Sequence, residues 1–313
     1  MDNKTVPPYF NFTLFKSYEH VRIVYFLITI LAYFLIILFN VTILLTVFKN
    51  KSLHEPIYLI MSFLLLNSLF GSSALFPRLS ADLLSNTHRI SRPACLIQLF
   101  FIYSYAISEF TVLSVMAYDR YIAICEPLLY HKIMTQRKTF LLIFCAFFWA
   151  FFCMTIAVVF SSRRPLCGNQ IPRLYCSNWA VVRLSCMSTV ANNIYGYLVT
   201  LTTVFLPASF ILFTYIRILI VCRKSTAEFR GKALQTCLPH IVSFVTYSIA
   251  SFSDIALSRY EPGQIADALV LMISLEFIVI PPLLNPLIYG LNLPDIRRKV
   301  LSMMTSAKAT FIS

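Results

Sequence analysis

The sequence predicts an all-α membrane protein, a seven-transmembrane helix bundle with a short amphipathic helix after the seventh. The 313 residues are 58% hydrophobic and only 12% charged, and a soluble domain of this size does not need so much apolar surface. Seven apolar stretches approach or exceed the roughly 20 residues that a helix needs to cross a bilayer. These stretches cover 23–48, 57–80, 95–118, 139–161, 192–221, 236–258 and 265–290.

The stretches divide the chain into three parts. We expect an extracellular N-terminus over 1–22, a seven-transmembrane domain over 23–290 and a cytoplasmic tail over 291–313. The longest loop, roughly 162–190, is too short to form a core of its own. The apolar runs are continuous rather than alternating, which disfavours a closed β-barrel. Because 1–22 lacks an apolar region followed by a cleavage site, the first stretch is expected to act as an uncleaved signal anchor.

The net charge of +13 supports this orientation. With the N-terminus outside, 15 of the 26 Lys and Arg residues fall on the cytoplasmic side, as the positive-inside rule requires. The same charge favours attraction to anionic membrane lipids over nucleic-acid binding. Asn3 and Asn11 begin glycosylation sequons on the proposed outer side, whereas the sequon at Asn40 lies inside the first stretch.

Polar residues within the apolar stretches are expected to face the bundle interior. Asn40 in the first stretch, with Asn67 and Ser68 in the second, should bond to neighbouring helices. Glu109 lies near the middle of the third stretch, where a carboxylate is costly. Three interpretations remain open for Glu109: it binds a cation such as sodium, stays protonated, or bonds to Asn67, Ser68 or Asn285.

The later stretches contain helix-bending residues. Pro207 and Pro239 interrupt the fifth and sixth stretches and free backbone carbonyls, which creates bends that can act as hinges. After the seventh stretch, Leu291–Lys299 is predicted to form a short amphipathic helix along the inner membrane surface.

Asp119 and Arg120 stand side by side at the inner end of the third stretch. Two adjacent charges at a membrane boundary are costly and mark a functional site by default. We interpret the pair as a switch that one conformation closes and another opens.

Four cysteines lie on the proposed outer side, at Cys95, Cys167, Cys176 and Cys186. In an oxidising space they suggest two disulfides, and their spacing permits three pairings. A zinc site is the alternative, and it is disfavoured because no His lies within the 167–186 loop.

The ordered motifs resemble the rhodopsin-like G-protein-coupled receptors and, within them, the olfactory receptor family. The wider resemblance is carried by Asp119, Arg120 and Tyr121 after the third stretch and by Asn285, Pro286 and Tyr289 in the seventh. The narrower one is carried by Met116–Cys125 with Pro127 and Tyr130, by Pro56 to Tyr58, by Lys232–Cys237 with His240, and by Pro281 and Pro282. The segment Leu66–Ser73 with Phe76, Pro77 and Arg78 is similar to fish-type odorant receptors.

The resemblance implies an odorant receptor of the plasma membrane whose partners are a small odorant and a stimulatory heterotrimeric G protein, with no cofactor. It also implies the pairs Cys95–Cys176 and Cys167–Cys186. Most members carry Asp where this chain has Ser68, so an Asp-based sodium site is in doubt. Ile102 and Val279 stand where amine receptors carry Asp and opsins carry Lys, which disfavours both ligand types.

A ligand pocket is expected between the third, fifth, sixth and seventh helices. The candidate lining residues are Phe101, Ile102, Tyr105, Asn193, Tyr197, Tyr247, Ser251 and Arg259. An acidic ligand is one open possibility, because Arg78 and Arg259 lie near outer helix ends. Both could instead reach the headgroups, or pair with Asp82 and Glu261.

Three other classes of function fit the sequence less well than an odorant receptor. A secondary transporter would show inverted repeats, and an odd helix count fits it poorly. An enzyme would need a catalytic constellation, and the five His residues show no metal-ligand spacing and no hydrolase motif occurs. A non-olfactory rhodopsin-like receptor for a small peptide or metabolite remains the alternative, although an N-terminus of about 22 residues is short for capturing a large ligand.

Overall fold

The computed structural model describes the backbone of residues 8–259 and 266–312, and the side chains of these except at 16–19, 291 and 304–312. Within these residues, seven helices are long and apolar enough to cross a membrane, which confirms the predicted fold class. They are α1 (Arg22–Lys49), α2 (Pro56–Leu84), α3 (Arg92–Cys125), α4 (Gln136–Ser162), α5 (Val190–Arg223), α6 (Ala227–Arg259) and α7 (Asp267–Asn292).

Local sequence signals account for several helix starts. Pro56 opens α2, where its missing N–H would have no helical partner. Ser91 caps α3 by accepting a hydrogen bond from the backbone N–H of Ala94, and Thr135 caps α4 in the same way through Lys138.

The helix after the seventh, α8 (Pro294–Ile312), differs from the prediction. It begins three residues later than Leu291 and runs well beyond Lys299, because α7 continues to Asn292 and the last turns contain no Gly or Pro. Its start is attached to α2, since the Tyr58 hydroxyl donates a hydrogen bond of 3.1 Å to Asp295.

A three-stranded sheet covers one end of the bundle, which we call the sheet end. Its strands are β1 (Tyr9–Phe12), β2 (Arg89–Ser91) and β3 (Gln170–Ile171). The central strand, β1, pairs antiparallel with β2 and parallel with β3. Phe10 and Phe12 are buried beneath the sheet, so the chain before α1 packs onto the bundle.

Two disulfides hold the long loop between α4 and α5 at the sheet end. Cys95 at the start of α3 is bonded to Cys176, and Cys167 is bonded to Cys186. These are the pairs that the family resemblance implies. Among the described residues, no group of three or more His, Cys, Asp or Glu side chains could hold a metal ion, so the zinc alternative gains no support.

Gly71 of α2 lies directly against the Tyr105 ring of α3. A Cβ atom added there would overlap this ring, which is fully buried. The glycine is therefore required by a close side-chain contact within the bundle.

We predict that Gly71→Ala destabilises the receptor by about 1–3 kcal/mol, because the Tyr105 ring must move out of a packed position. Gly231→Ala is the matched control, since a Cβ there meets no atom within 4 Å. Thermal unfolding of the purified receptor in detergent measures both. Equal melting temperatures for the two variants would contradict the packing argument.

Candidate functional site

A cavity of about 150 Å³ lies between α3, α4, α5 and α6, close to the sheet end. Its walls are mostly apolar or aromatic and include Ile107, Phe110, Val199, Tyr247, Ile255 and Phe277. A dry apolar cavity of roughly this volume is large enough to hold a benzene-sized molecule. The site therefore suits a small organic ligand.

A few polar groups also line the cavity. Asn192 is buried, and its side-chain Oδ1 accepts no hydrogen bond from any residue that the structure describes. A buried amide oxygen without a donor is costly.

Four of the eight residues predicted to bind ligand line this cavity, namely Asn193, Tyr247, Ser251 and Arg259. The Tyr247 hydroxyl donates a hydrogen bond of 2.8 Å to the carbonyl of Ala106, and its ring packs edge-on against Phe110 at 4.8 Å. Tyr247 therefore connects α6 to the wall that α3 contributes.

The other four predicted residues lie outside the cavity lining. The α3 face that lines it contains Tyr103, Ala106, Ile107 and Phe110, so helical periodicity turns Phe101, Ile102 and Tyr105 toward other neighbours.

Phe101 packs against Phe70 of α2, Ile102 is buried elsewhere, and Tyr105 packs on Gly71. Tyr197 is exposed, and its ring packs against the guanidinium of Arg259, which lines the cavity. No sequence signal distinguishes Tyr103 from Phe101 along the apolar α3, or Asn192 from its neighbour Asn193.

The loop between α4 and α5 forms a roof over the cavity and is bonded to α6. Asp254 of α6 accepts hydrogen bonds from the Tyr175 hydroxyl at 2.9 Å and from Arg173 at 3.4 Å. All three side chains are buried. Burial and the Asp254 charge raise the pKa of Tyr175 well above its ordinary value, so the phenol remains a donor.

Arg259 occupies the top of the cavity. Its guanidinium donates to the Asn193 side chain at 2.8 Å and stacks between the rings of Trp179 and Tyr197, with centroids at 4.8 and 4.7 Å. No acidic side chain within the described residues pairs with it. Glu261, which the sequence offered as a partner, lies outside those residues.

Arg78 has a different environment. It forms two hydrogen bonds with Asp82, of 2.8 and 2.6 Å, and does not line the cavity. The structure therefore contains the Arg78–Asp82 pair, which is one of the alternatives that the sequence left open.

Glu109 of α3 lies at the centre of a buried hydrogen-bond network. Its two carboxylate oxygens accept from Asn67 of α2 and Asn285 of α7, each at 2.7 Å. Asn67 also donates to the Tyr105 carbonyl at 3.0 Å. Of the three interpretations that the sequence left open for Glu109, the structure therefore contains the hydrogen bonds to Asn67 and Asn285. The Ser68 hydroxyl takes no part and has no hydrogen bond among the described residues.

Asn40 belongs to a neighbouring contact between α1 and α7. Its side chain donates to the carbonyl of Pro282 at 2.9 Å. Pro286 has no N–H to bond that carbonyl four residues earlier. Asn40 thus satisfies a backbone group that the proline leaves free.

Asp119 and Arg120 lie at the other end of the bundle, which we call the Arg120 end. Arg120 Nε donates to Asp119 at 2.9 Å and a second nitrogen of the guanidinium also bonds it. The Tyr130 hydroxyl donates to the other Asp119 oxygen at 2.9 Å. Tyr121 is half-buried at the edge of the apolar core.

One turn or more from the Asp119–Arg120 pair, toward the sheet end, hydrogen bonds join α5 to α6 and α6 to α3. His240 Nε2 lies 2.8 Å from the carbonyl of Leu113, so this nitrogen carries the proton and Nδ1 accepts from the Tyr215 hydroxyl at 2.7 Å. Tyr289 of α7 donates to the Met116 sulfur at 3.3 Å.

Seven membrane-spanning helices among the described residues, a mostly apolar cavity near one end and a paired Asp and Arg at the opposite end define a multi-pass receptor. The chain belongs to the olfactory receptor family, since residues 29–307 match the family model described as olfactory receptor. It is an odorant receptor, and coupling to a G protein is implied by the family.

Individual relatives match along most of their length. Human olfactory receptor 52K1 is 35% identical over 277 residues, which cover 87% of both chains. Human olfactory receptor 10J4 is 32% identical over 93% of this chain and 94% of its own. Mouse olfactory receptor 4B13 is 33% identical over 92% of each.

We predict that Asp254→Leu destabilises the receptor by about 3–5 kcal/mol, because it leaves Arg173 buried without its acid. The double variant Arg173→Met with Asp254→Leu should recover most of that loss, since both charges are then removed. Thermal unfolding in detergent measures the two. A double variant less stable than Asp254→Leu would show that the ion pair is not what joins the roof to α6.

Proposed function

We propose that this receptor lies in the plasma membrane with its N-terminus outside, binds a small odorant in the cavity and activates a stimulatory heterotrimeric G protein. The observation that carries the proposal is the mostly apolar cavity of about 150 Å³, which has a few polar side chains such as Asn192 and Ser251 in its lining. A small molecule with an apolar body and one polar group complements such a lining.

The sheet end is extracellular in this proposal. Two disulfides support it, because such bonds persist in oxidising compartments. Asn11 would be a glycosylation site on this side. It lies in the central strand with a partly exposed side chain. Asn3, the second proposed site, lies outside the described residues.

The Asp119–Arg120 pair would hold the resting state. Tyr130 supports this role, since its hydroxyl donates a hydrogen bond to the second Asp119 oxygen and keeps the carboxylate oriented toward Arg120. An odorant that binds the active form better shifts the population toward that form. Helix α6 would then swing at Pro239, and Arg120 would turn toward the G protein.

Asn285, Pro286 and Tyr289 would transmit the change along α7. Asn285 is bonded to Glu109, and Tyr289 contacts Met116 near the Arg120 end. Pro286 weakens the backbone of α7 between them. Tyr121, next to Arg120, would contribute to the packing of the active form. Glu109 offers a weak alternative as a sodium ligand, and its bonds to two amides argue against it.

Receptor function accounts for the chain better than catalysis does. The buried acids Glu109, Asp119 and Asp254 each accept hydrogen bonds from neighbouring side chains that hold helices or the roof in place. Exposed basic residues at the Arg120 end would contact anionic lipids and the G protein.

An acidic odorant is the second ligand class that an observation favours. Arg259 lines the cavity with no acidic partner among the described residues. A carboxylate could replace the neutral Asn193 oxygen as its acceptor and form a stronger, charge-assisted bond.

We predict that Arg120→Ala, at unchanged surface expression, abolishes the cyclic AMP rise that an odorant causes, because the switch loses its cation. Arg120→Lys keeps the charge but not the forked geometry, and should retain a reduced response. A cyclic AMP reporter with surface immunostaining measures both. A normal response from Arg120→Ala would remove the proposed switch.

We predict that Arg259→Gln raises the half-effective concentration of carboxylic acid odorants by roughly tenfold or more, because one hydrogen bond between charged groups is lost. Matching alcohols should shift far less. A dose–response panel of acids, alcohols and amines on both receptors tests this. Equal shifts for acids and alcohols would remove the acidic class.

A further inference from the structure

The seam between α5 and α6 is held at two places beside the cavity. At the top, Arg259 bonds Asn193. Further down, the rings of Phe205 and Phe252 lie 5.6 Å apart. At the top, the Arg259 guanidinium also stacks on the ring of Tyr197. Eight residues of helix separate Tyr197 from Phe205, a length of about 12 Å. Between these two contacts, no hydrogen bond or ring contact joins the described residues of α5 to those of α6.

Gly196 lies beside Tyr197, at the upper edge of this unbonded part of the seam. It lines the cavity, and a Cβ added to it would meet no atom within 4 Å. Thr200 on α5 and Ile255 on α6 also line the cavity and are only partly buried. The cavity therefore extends to the seam, where the smallest residue leaves open space.

The roof offers no comparable opening. Tyr175 and Cys176 are at most 1% exposed. Cys176 is bonded to α3 through its disulfide, and its backbone N–H donates to Gln98 at 3.1 Å. Arg173 and Tyr175 attach the same segment to α6. Opening the roof would break several buried bonds together, whereas opening the seam beside Gly196 would break one exposed contact, that of Arg259 with the Tyr197 ring.

The outer face of α5 at this level is suited to lipid. Ile194, Leu198 and Leu201 are each more than half exposed. A bilayer around the bundle would place hydrocarbon against these side chains, next to the seam. Small neutral apolar molecules concentrate in hydrocarbon, so they would reach the seam at a high local concentration.

We propose that small neutral apolar odorants enter the cavity from the bilayer, through a portal between α5 and α6 at Gly196, and not through the roof. The portal rests on the proposed role of the cavity as the odorant site. An entry path affects arrival and departure equally, because both cross the same barrier. A wall residue instead changes the stability of the bound state.

The first experiment places a side chain in the open space. Gly196→Leu should slow both the onset and the washout of the response by on the order of tenfold, equivalent to about 1.4 kcal/mol of added barrier. Because Gly196 also lines the cavity, the portal is judged by the onset and washout rates, which slow together when both cross one barrier. Gly231→Leu, where a Cβ also meets no atom, is the control and should change neither rate. A raised half-effective concentration with unchanged onset would make Gly196 a wall residue and overturn the portal.

The second experiment needs no odorant. Ser251→Cys places a thiol inside the cavity, at a position only 4% exposed. In nanodiscs, neutral methyl methanethiosulfonate should label it faster than a methanethiosulfonate that carries a fixed trimethylammonium charge, each rate being divided by that of the same reagent with a free thiol. Adding Gly196→Leu should slow the neutral reagent by on the order of tenfold. Mass spectrometry of the peptide containing residue 251 separates this label from that on the exposed Cys145.

The two experiments separate the portal from the odorant function. If Gly196→Leu slows the labelling of a receptor that responds to no odorant, the portal is supported and the proposed function is contradicted. If Gly196→Leu leaves the labelling rate unchanged, or if the charged reagent labels equally fast, the portal is overturned while odorant responses persist.

Discussion

The carboxylate of Glu109 is the group on which the arrangement of the helices depends. In a bilayer, lipid tails solvate apolar side chains as well as neighbouring helices do, so polar bonds and close packing set how helices pair. Glu109 can be accommodated only where donors surround it, and Asn67 and Asn285 supply them from α2 and α7. One side chain therefore fixes three helices relative to each other.

The cavity and the charged pair are both built next to this network. Tyr247, which lines the cavity, bonds the carbonyl of Ala106, one turn from Glu109. On the other side, Tyr289 follows Asn285 by one turn and contacts Met116. A ligand that moves Tyr247 therefore acts on the α3 turn beside Glu109, which gives the cavity a physical connection toward Arg120.

The sequence predicted the features that depend on local composition and could not predict those that depend on helix rotation. Long apolar runs located all seven helices, and Glu109 stood out because a carboxylate in hydrocarbon is costly. In α3, however, lipid-facing and cavity-facing positions are both apolar. Nothing in the pattern therefore showed that Tyr103 faces the cavity while Phe101 faces α2. The sheet was also missed, because its strands of two to four residues come from distant segments.

A double-mutant cycle between Glu109 and Asn285 measures the bond that joins α3 to α7 most directly. Glu109→Leu, Asn285→Leu and the double variant are compared by thermal unfolding in detergent. The double variant should lose about 1–3 kcal/mol less stability than the sum of the single losses, because either change alone breaks the same bond. Glu109→Leu combined with Thr155→Val on α4 should be additive. Strict additivity between Glu109 and Asn285 would show that the carboxylate does not hold these helices together.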